Sequence, residues 1–261
     1  MISMNQVWDE TVALVRREAA LLIPVALATI YAGGVISTLA SSATKPTEPN
    51  MLVMVATVIS MLLSIIGQLS IISLVLKPGQ SVGEALAHGA SRLGKVVLVA
   101  LLLGVVLAFA FLPLAIGAAA AGFDPANPEA VRNLPGWLLF LILLTSAFVI
   151  WVAIRLALMN ALIVDRNPGV IESIKTGFAL SRGVASRLFL LAALYGTIWV
   201  VLSFAVRFVA GSIFALVGAA MGSPFAGVVM TALVSELVST ALSLMLTIFL
   251  ALLYRRVSNQ T

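Results

Sequence analysis

Glu84 and His88 lie four residues apart in "SVGEALAHGASRLGK", a spacing that sets a carboxylate and an imidazole on one helix face. Such a pair can begin a metal site, but a protein-held ion needs further ligands. The chain has one histidine and no cysteine, so no metal site is expected. Without cysteine there are also no disulfides, thiolate ligands or cysteine nucleophiles. Hydrolytic chemistry would need a nucleophile beside a base, or paired carboxylates. The acids are instead scattered: Asp9, Glu10, Glu18, Glu84, Asp165 and Glu172 toward one surface, Glu48, Asp124 and Glu129 toward the other. "DRNPG", residues 165–169, reads as a turn leading into a helix. "GGVIS" and "GVVLAFAF" lack the lysine of a P-loop and the strand–helix setting of a dinucleotide fold. The expectation is a non-enzymatic protein with no cofactor.

The elements that carry these residues are dictated by composition. Hydrophobic residues make up 62% of the 261 and charged residues only 10%, with mean hydropathy +1.17. Soluble domains run about 45–50% apolar and about 25% charged, so the chain is expected to be an integral membrane protein. No hydrophilic stretch is long enough to fold apart, which makes 1–261 one membrane domain. The net charge of +5 and pI near 10.1 point to anionic lipid headgroups rather than nucleic acid in a chain with so few charges. The N-terminal "MISMNQVWDETVALVRREAA" mixes acids with bases well ahead of the apolar run, so targeting is assigned to the first span and not to a signal peptide.

A spanning helix needs about 20 apolar residues. Six stretches qualify: 19–39, 51–76, 96–119, 137–156, 188–206 and 226–253. Pro24 and Pro113 fall inside two of them, where neighbouring helices can satisfy the freed carbonyls. Arg16, Arg17, Lys77, Arg92, Lys95, Arg155, Arg166, Lys175, Arg182, Arg187, Arg255 and Arg256 fall on one side of these spans. Lys45, Arg132 and Arg207 fall on the other. Bases mark the cytoplasmic side, so both termini are expected there.

Three segments look like copies of one unit: "VWDETVALVRREAALLIPVALA", "SVGEALAHGASRLGKVVLVALLLG" and "GVIESIKTGFALSRGVASRLFLLAALYG". Each places a glutamate (Glu10, Glu84, Glu172) before a helical stretch, then bases (Arg16/Arg17, Arg92/Lys95, Arg182/Arg187), then a span. The reading is three units, about 5–76, 81–164 and 168–256, each a cytoplasmic amphipathic helix followed by a helical hairpin. In the third, Val170, Ile171, Ile174 and Phe178 recur at helical spacing opposite Glu172, Lys175 and Thr176. Such a helix is expected to lie in the interface. Pro168 suits its first turn, Ser81 and Glu84 have capping-box spacing, and Gly177 and Gly183 would supply hinges.

Depth then sorts the charges. Arg155 follows Trp137 by about 27 Å of helix, placing it near the inner interface. Arg207 reaches the outer interface from Leu188, and Glu236 returns to the same level from Tyr254. Arg207 and Glu236 are therefore expected to face one another, as a structural ion pair or as a transport or headgroup-binding couple. Residues 208–225 are read as an outer-surface helix or a shallow re-entrant turn. Ser60, Ser64, Gln68 and Ser73 give the second span a weakly polar stripe suited to helix–helix hydrogen bonding.

Residues 154–189, "IRLALMNALIVDRNPGVIESIKTGFALSRGVASRLF", resemble a known family. An arginine-bearing span, an Asp-containing turn, then Ser173 and Ser181 on a short helix closing at Arg187 is similar to the membrane domain associated with glycerophosphoryl diester phosphodiesterases. It is also similar to the YciC-like bacterial inner-membrane proteins. The resemblance implies a multi-pass protein of the bacterial inner membrane, tied to envelope or lipid homeostasis. The phosphodiesterase chemistry resides in a separate soluble domain, and no catalytic residue carries over.

Two functions follow from the residues. One is a module that contacts anionic headgroups or partner membrane proteins through Arg92, Lys95, Arg155, Arg182, Arg187 and Arg207, with Glu236 as ion-pair partner. The other is a small transporter or lipid-moving protein, suggested by internal repetition and Pro-interrupted spans. A membrane-embedded lipid-acting enzyme ranks third.

Overall fold

Helix accounts for nearly all of the computed structural model, which describes residues 3–42, 50–123 and 134–259. Lys45, Glu48, Asp124, Glu129 and Arg132 lie outside the described residues. Helix α1 (Met4–Ala26) runs through a π-turn (Leu27–Tyr31) into α2 (Ala32–Ser42). Then follow α3 (Met51–Leu76), α4 (Val82–Ala120), α5 (Gly136–Leu156), α6 (Met159–Arg166), α7 (Val170–Ser181), α8 (Ala185–Ala220) and α9 (Pro224–Ser258). Six of these stretches are long and apolar enough to cross a membrane, as in a multi-pass membrane protein.

Local chemistry explains the irregularities. Pro24 has no N–H to give and its ring crowds the preceding turn, and the helix widens into a π-turn three residues later. Glu18 leaves helical geometry (φ −106°, ψ 18°) and kinks α1 just after Arg16 and Arg17. Helix α4 begins with the expected capping box: Glu84 N–H donates to Ser81 Oγ at 3.3 Å and Ser81 N–H to Glu84 Oε2 at 2.9 Å. Both α4 and α8 end in a Schellman turn on a left-handed glycine, Gly122 (φ +63°) and Gly222 (φ +66°). Its 6→1 bonds are Phe123 N–H to Ala118 O at 2.9 Å and Ser223 N–H to Gly218 O at 2.8 Å.

Several expectations change here. In the second unit the glutamate-bearing helix and the span are one uninterrupted helix, α4, because Gly89 and Gly94 sit in regular α geometry with nothing to break it. Gly89 serves packing instead: a Cβ there would press on Ser70 Oγ and lie 3.0 Å from Ile66 O, so α3 and α4 approach closely. In the third unit the chain does break after α7, but Gly177 is no hinge. It is buried within α7, with Leu156 Cδ2 3.6 Å and Met159 Cβ 3.7 Å from where its Cβ would be. Pro168 precedes the cap residue Gly169 and lies outside α7. Residues 208–225 form neither a surface helix nor a re-entrant segment. They complete α8, turn at 221–223 and open α9, since no residue before Gly222 interrupts the hydrogen bonding.

Helix α9 is central and α8 peripheral: half of α9's most apolar window is buried, and none of α8's. The core gathers where α9 meets α1, α3 and α6, around Leu22, Leu69, Ile71, Leu162, Ile163, Ile248, Leu252 and Leu253. Small residues allow the approach: a Cβ at Gly33 would lie 3.0 Å from Ser60 O, and one at Gly67 would overlap the Thr29 side chain.

Candidate functional site

The charged residues divide between two places. The first is the end of the bundle that carries both termini. Glu10 on α1 receives Arg255 through one carboxylate oxygen and Arg256 through the other, at 2.8 Å for the latter, which joins the N-terminal helix to the end of α9. One residue earlier, the buried Tyr254 donates its hydroxyl to Asp165 Oδ2 at 2.8 Å. That bond ties α9 to the α6–α7 turn. Asn167 turns the chain in the left-handed region (φ 49°, ψ 47°), which Asn tolerates better than most residues. Lys95 Nζ closes the turn, donating to Asn167 O at 3.0 Å and also to Asn167 Oδ1 and Pro168 O.

His88 belongs to the same network. Its Nε2 lies 3.2 Å from Val164 O and 3.3 Å from Lys77 Nζ. Among the described residues no three of His, Asp and Glu gather to hold a metal ion.

The bases predicted to meet headgroups frame this network. Arg155 Cζ lies 5.7 Å from the centre of the Trp151 ring, a cation–π arrangement, and Trp151 packs edge-on against Phe178 of α7 at 5.5 Å. Arg155 Nη1 and Arg92 Nε are buried and have no hydrogen-bond partner among the described residues. Arg182 and Lys175 are exposed. Helix α7 turns Ser173, Gly177, Leu180 and Ser181 into the bundle and leaves Ile171 outward, 65% exposed. The apolar stripe read from sequence thus divides between bundle and surface, because Ser173 returns its hydroxyl to Gly169 O at 2.8 Å and needs no solvent. Arg187 lines an apolar cleft of about 670 Å³ between α8 and α9, with Trp8 of α1, Tyr195 and Phe249 among its walls.

The second place is far along the third hairpin. Arg207 and Glu236 line one cavity of about 510 Å³, as their equal distance from the turn requires. They form no ion pair within 4.0 Å, which corrects the direct pairing expected from sequence. Glu236 instead accepts a 2.9 Å hydrogen bond from Thr38 Oγ1 of α2, and its carboxylate packs against Gly34. Sequence reasoning missed the roles of Thr38, Tyr254 and Asn167. Gly34 and Thr38, four apart on one face of α2, were the available signal for the helix that receives Glu236.

The chain matches no family model, no curated protein and no solved structure.

Proposed function

We propose that this protein is a non-enzymatic lipid-interacting module of a bacterial inner membrane, with both termini cytoplasmic and the basic end of the bundle set in the anionic leaflet. The observation that supports it most is the crowd of cations on and around α7. Lys175 lies on this short helix, Arg182 caps its end, and Lys95 and Arg155 approach it from neighbouring helices, while two guanidinium nitrogens (Arg92 Nε and Arg155 Nη1) are buried without a partner among the described residues. Buried donors without acceptors are costly, and phosphate oxygens would satisfy them. Each base near an anionic surface contributes about 1 kcal/mol of attraction. The three-unit reading accords with this: α1 bends beside Arg16 and Arg17, α7 breaks from α8 beside Arg182, and α4 and α8 end in the same turn. The resemblance of 154–189 to membrane domains tied to envelope homeostasis points the same way.

Native mass spectrometry of the detergent-purified protein with phosphatidylglycerol and phosphatidylcholine tests this reading. Preferential retention of phosphatidylglycerol is expected, reduced when the exposed Lys175 and Arg182 are both changed to Gln. Equal retention of the two lipids by the unaltered protein overturns it.

A second reading, transport or lipid movement, is favoured by the cavity that holds Arg207 and Glu236. Opposite charges that line a cavity inside an apolar hairpin are characteristic of substrate sites in membrane proteins.

A further inference from the structure

Arg207 follows Arg187 by 20 residues, about 30 Å of helix, which is the thickness of a hydrocarbon core. With Arg187 at one interface, Arg207 reaches the other. Arg207 and Glu236 lie 15 and 14 residues either side of Gly222, so on antiparallel helices they stand at one level. Charges of opposite sign at one level in an apolar hairpin would ordinarily join, yet these remain more than 4.0 Å apart. Thr38 holds Glu236 toward α2, while Arg207 has no ion-pair partner among the described residues. Gly211 and Gly227 are among the residues that line this cavity, with Ser235 adding a hydroxyl.

We propose that this cavity receives a phospholipid headgroup bearing both a phosphate and a primary ammonium, of the phosphatidylethanolamine class. The phosphate sits at Arg207 and the ammonium at Glu236. Charge complementarity selects the ligand: one fixed anion and one cation across a gap match a zwitterion and leave a purely anionic lipid facing Glu236. A primary ammonium donates hydrogen bonds to a carboxylate, which a quaternary one cannot. The apolar surroundings commit the site to a lipid over a soluble zwitterion, since Phe204, about one turn from Arg207 on the side toward Arg187, is 70% exposed and offers apolar surface to acyl chains. The site stands apart from the basic end and does not rest on its reading.

Native mass spectrometry of the purified full chain, titrated with phosphatidylethanolamine, phosphatidylcholine and phosphatidylglycerol, tests it. Phosphatidylethanolamine should be retained about tenfold over phosphatidylcholine, the scale of one charge-assisted hydrogen bond. Glu236→Gln should abolish that ratio, and Arg207→Gln should weaken both lipids. Both variants should still unfold cooperatively on heating in detergent, which shows that they are folded without reference to lipid at the basic end. Equal retention of the two zwitterionic lipids, or a ratio unchanged in Glu236→Gln, overturns the proposal. Displacement of the lipid by millimolar phosphoethanolamine also overturns it, in favour of a soluble ligand.

Discussion

Thr38 Oγ1 donates a 2.9 Å hydrogen bond to Glu236 Oε1, joining α2 to α9 across 198 residues of chain. The carboxylate fits because Gly34, one turn earlier on α2, has no Cβ to meet it. Thr38→Val should lower stability by about 0.6–1.7 kcal/mol, the range for interhelical hydrogen bonds in membranes. Gly34→Leu should cost about 1–3 kcal/mol through overpacking. Unfolding of the detergent-purified variants measures both, and a Gly34→Leu protein as stable as the parent would contradict the packing described.

The apex of the third hairpin depends on backbone proximity. A Cβ at Gly227 would overlap Phe214 O, and one at Gly218 would come within 2.9 Å of Gly227 N. Gly227→Leu should therefore destabilise by about 1–3 kcal/mol. Gly104 in α4 has nothing within 4 Å of its would-be Cβ, so Gly104→Ala should be neutral or stabilising by about 0.4–1 kcal/mol. The melting temperature should fall for Gly227→Leu and hold or rise for Gly104→Ala.

At the other end, Tyr254→Phe keeps the ring volume and removes only the bond to Asp165. The expected loss is about 1 kcal/mol. Hydrogen exchange at the α6–α7 turn should rise with it, because Asp165 anchors that turn to α9. Unchanged exchange there would show that Lys95 alone holds the turn.

Asn167 separates conformation from bonding. Its left-handed backbone disfavours side chains branched at Cβ, whereas glycine adopts it freely. Asn167→Val should cost about 1–2 kcal/mol more than Asn167→Gly. Both lose the side-chain acceptor for Lys95 and keep the main-chain one. Thermal unfolding of the pair reads the difference, and equal stability would contradict the left-handed assignment.

Much of this architecture is legible in the residues. Apolar run lengths locate the six helices long and apolar enough to cross a membrane, and Ser81 with Glu84 announces the start of α4. "DRNPG" announces the turn between α6 and α7, because each signal is local and carried by hydrogen bonding or hydropathy. The helix that continues from Val82 to Ala120 was not legible, since a flat helix and an extended one share the same amphipathic start. The site was half legible. Counting along the helices from Leu188 and back from Tyr254 put Arg207 and Glu236 at one level, but their separation depends on Thr38, whose contact with Glu236 is a long-range packing event with no periodic trace.

The basic end of the bundle is the centre of this account, and a chain free of cysteine allows a direct measurement of where it lies. Single cysteines placed at the exposed Ser91 and Lys175 are labelled in intact cells and in inverted membrane vesicles with a membrane-impermeant maleimide. With the basic end cytoplasmic, both react in inverted vesicles and neither reacts in intact cells. Reaction of the two positions from opposite faces would contradict this placement, as would reaction of both from outside the cell.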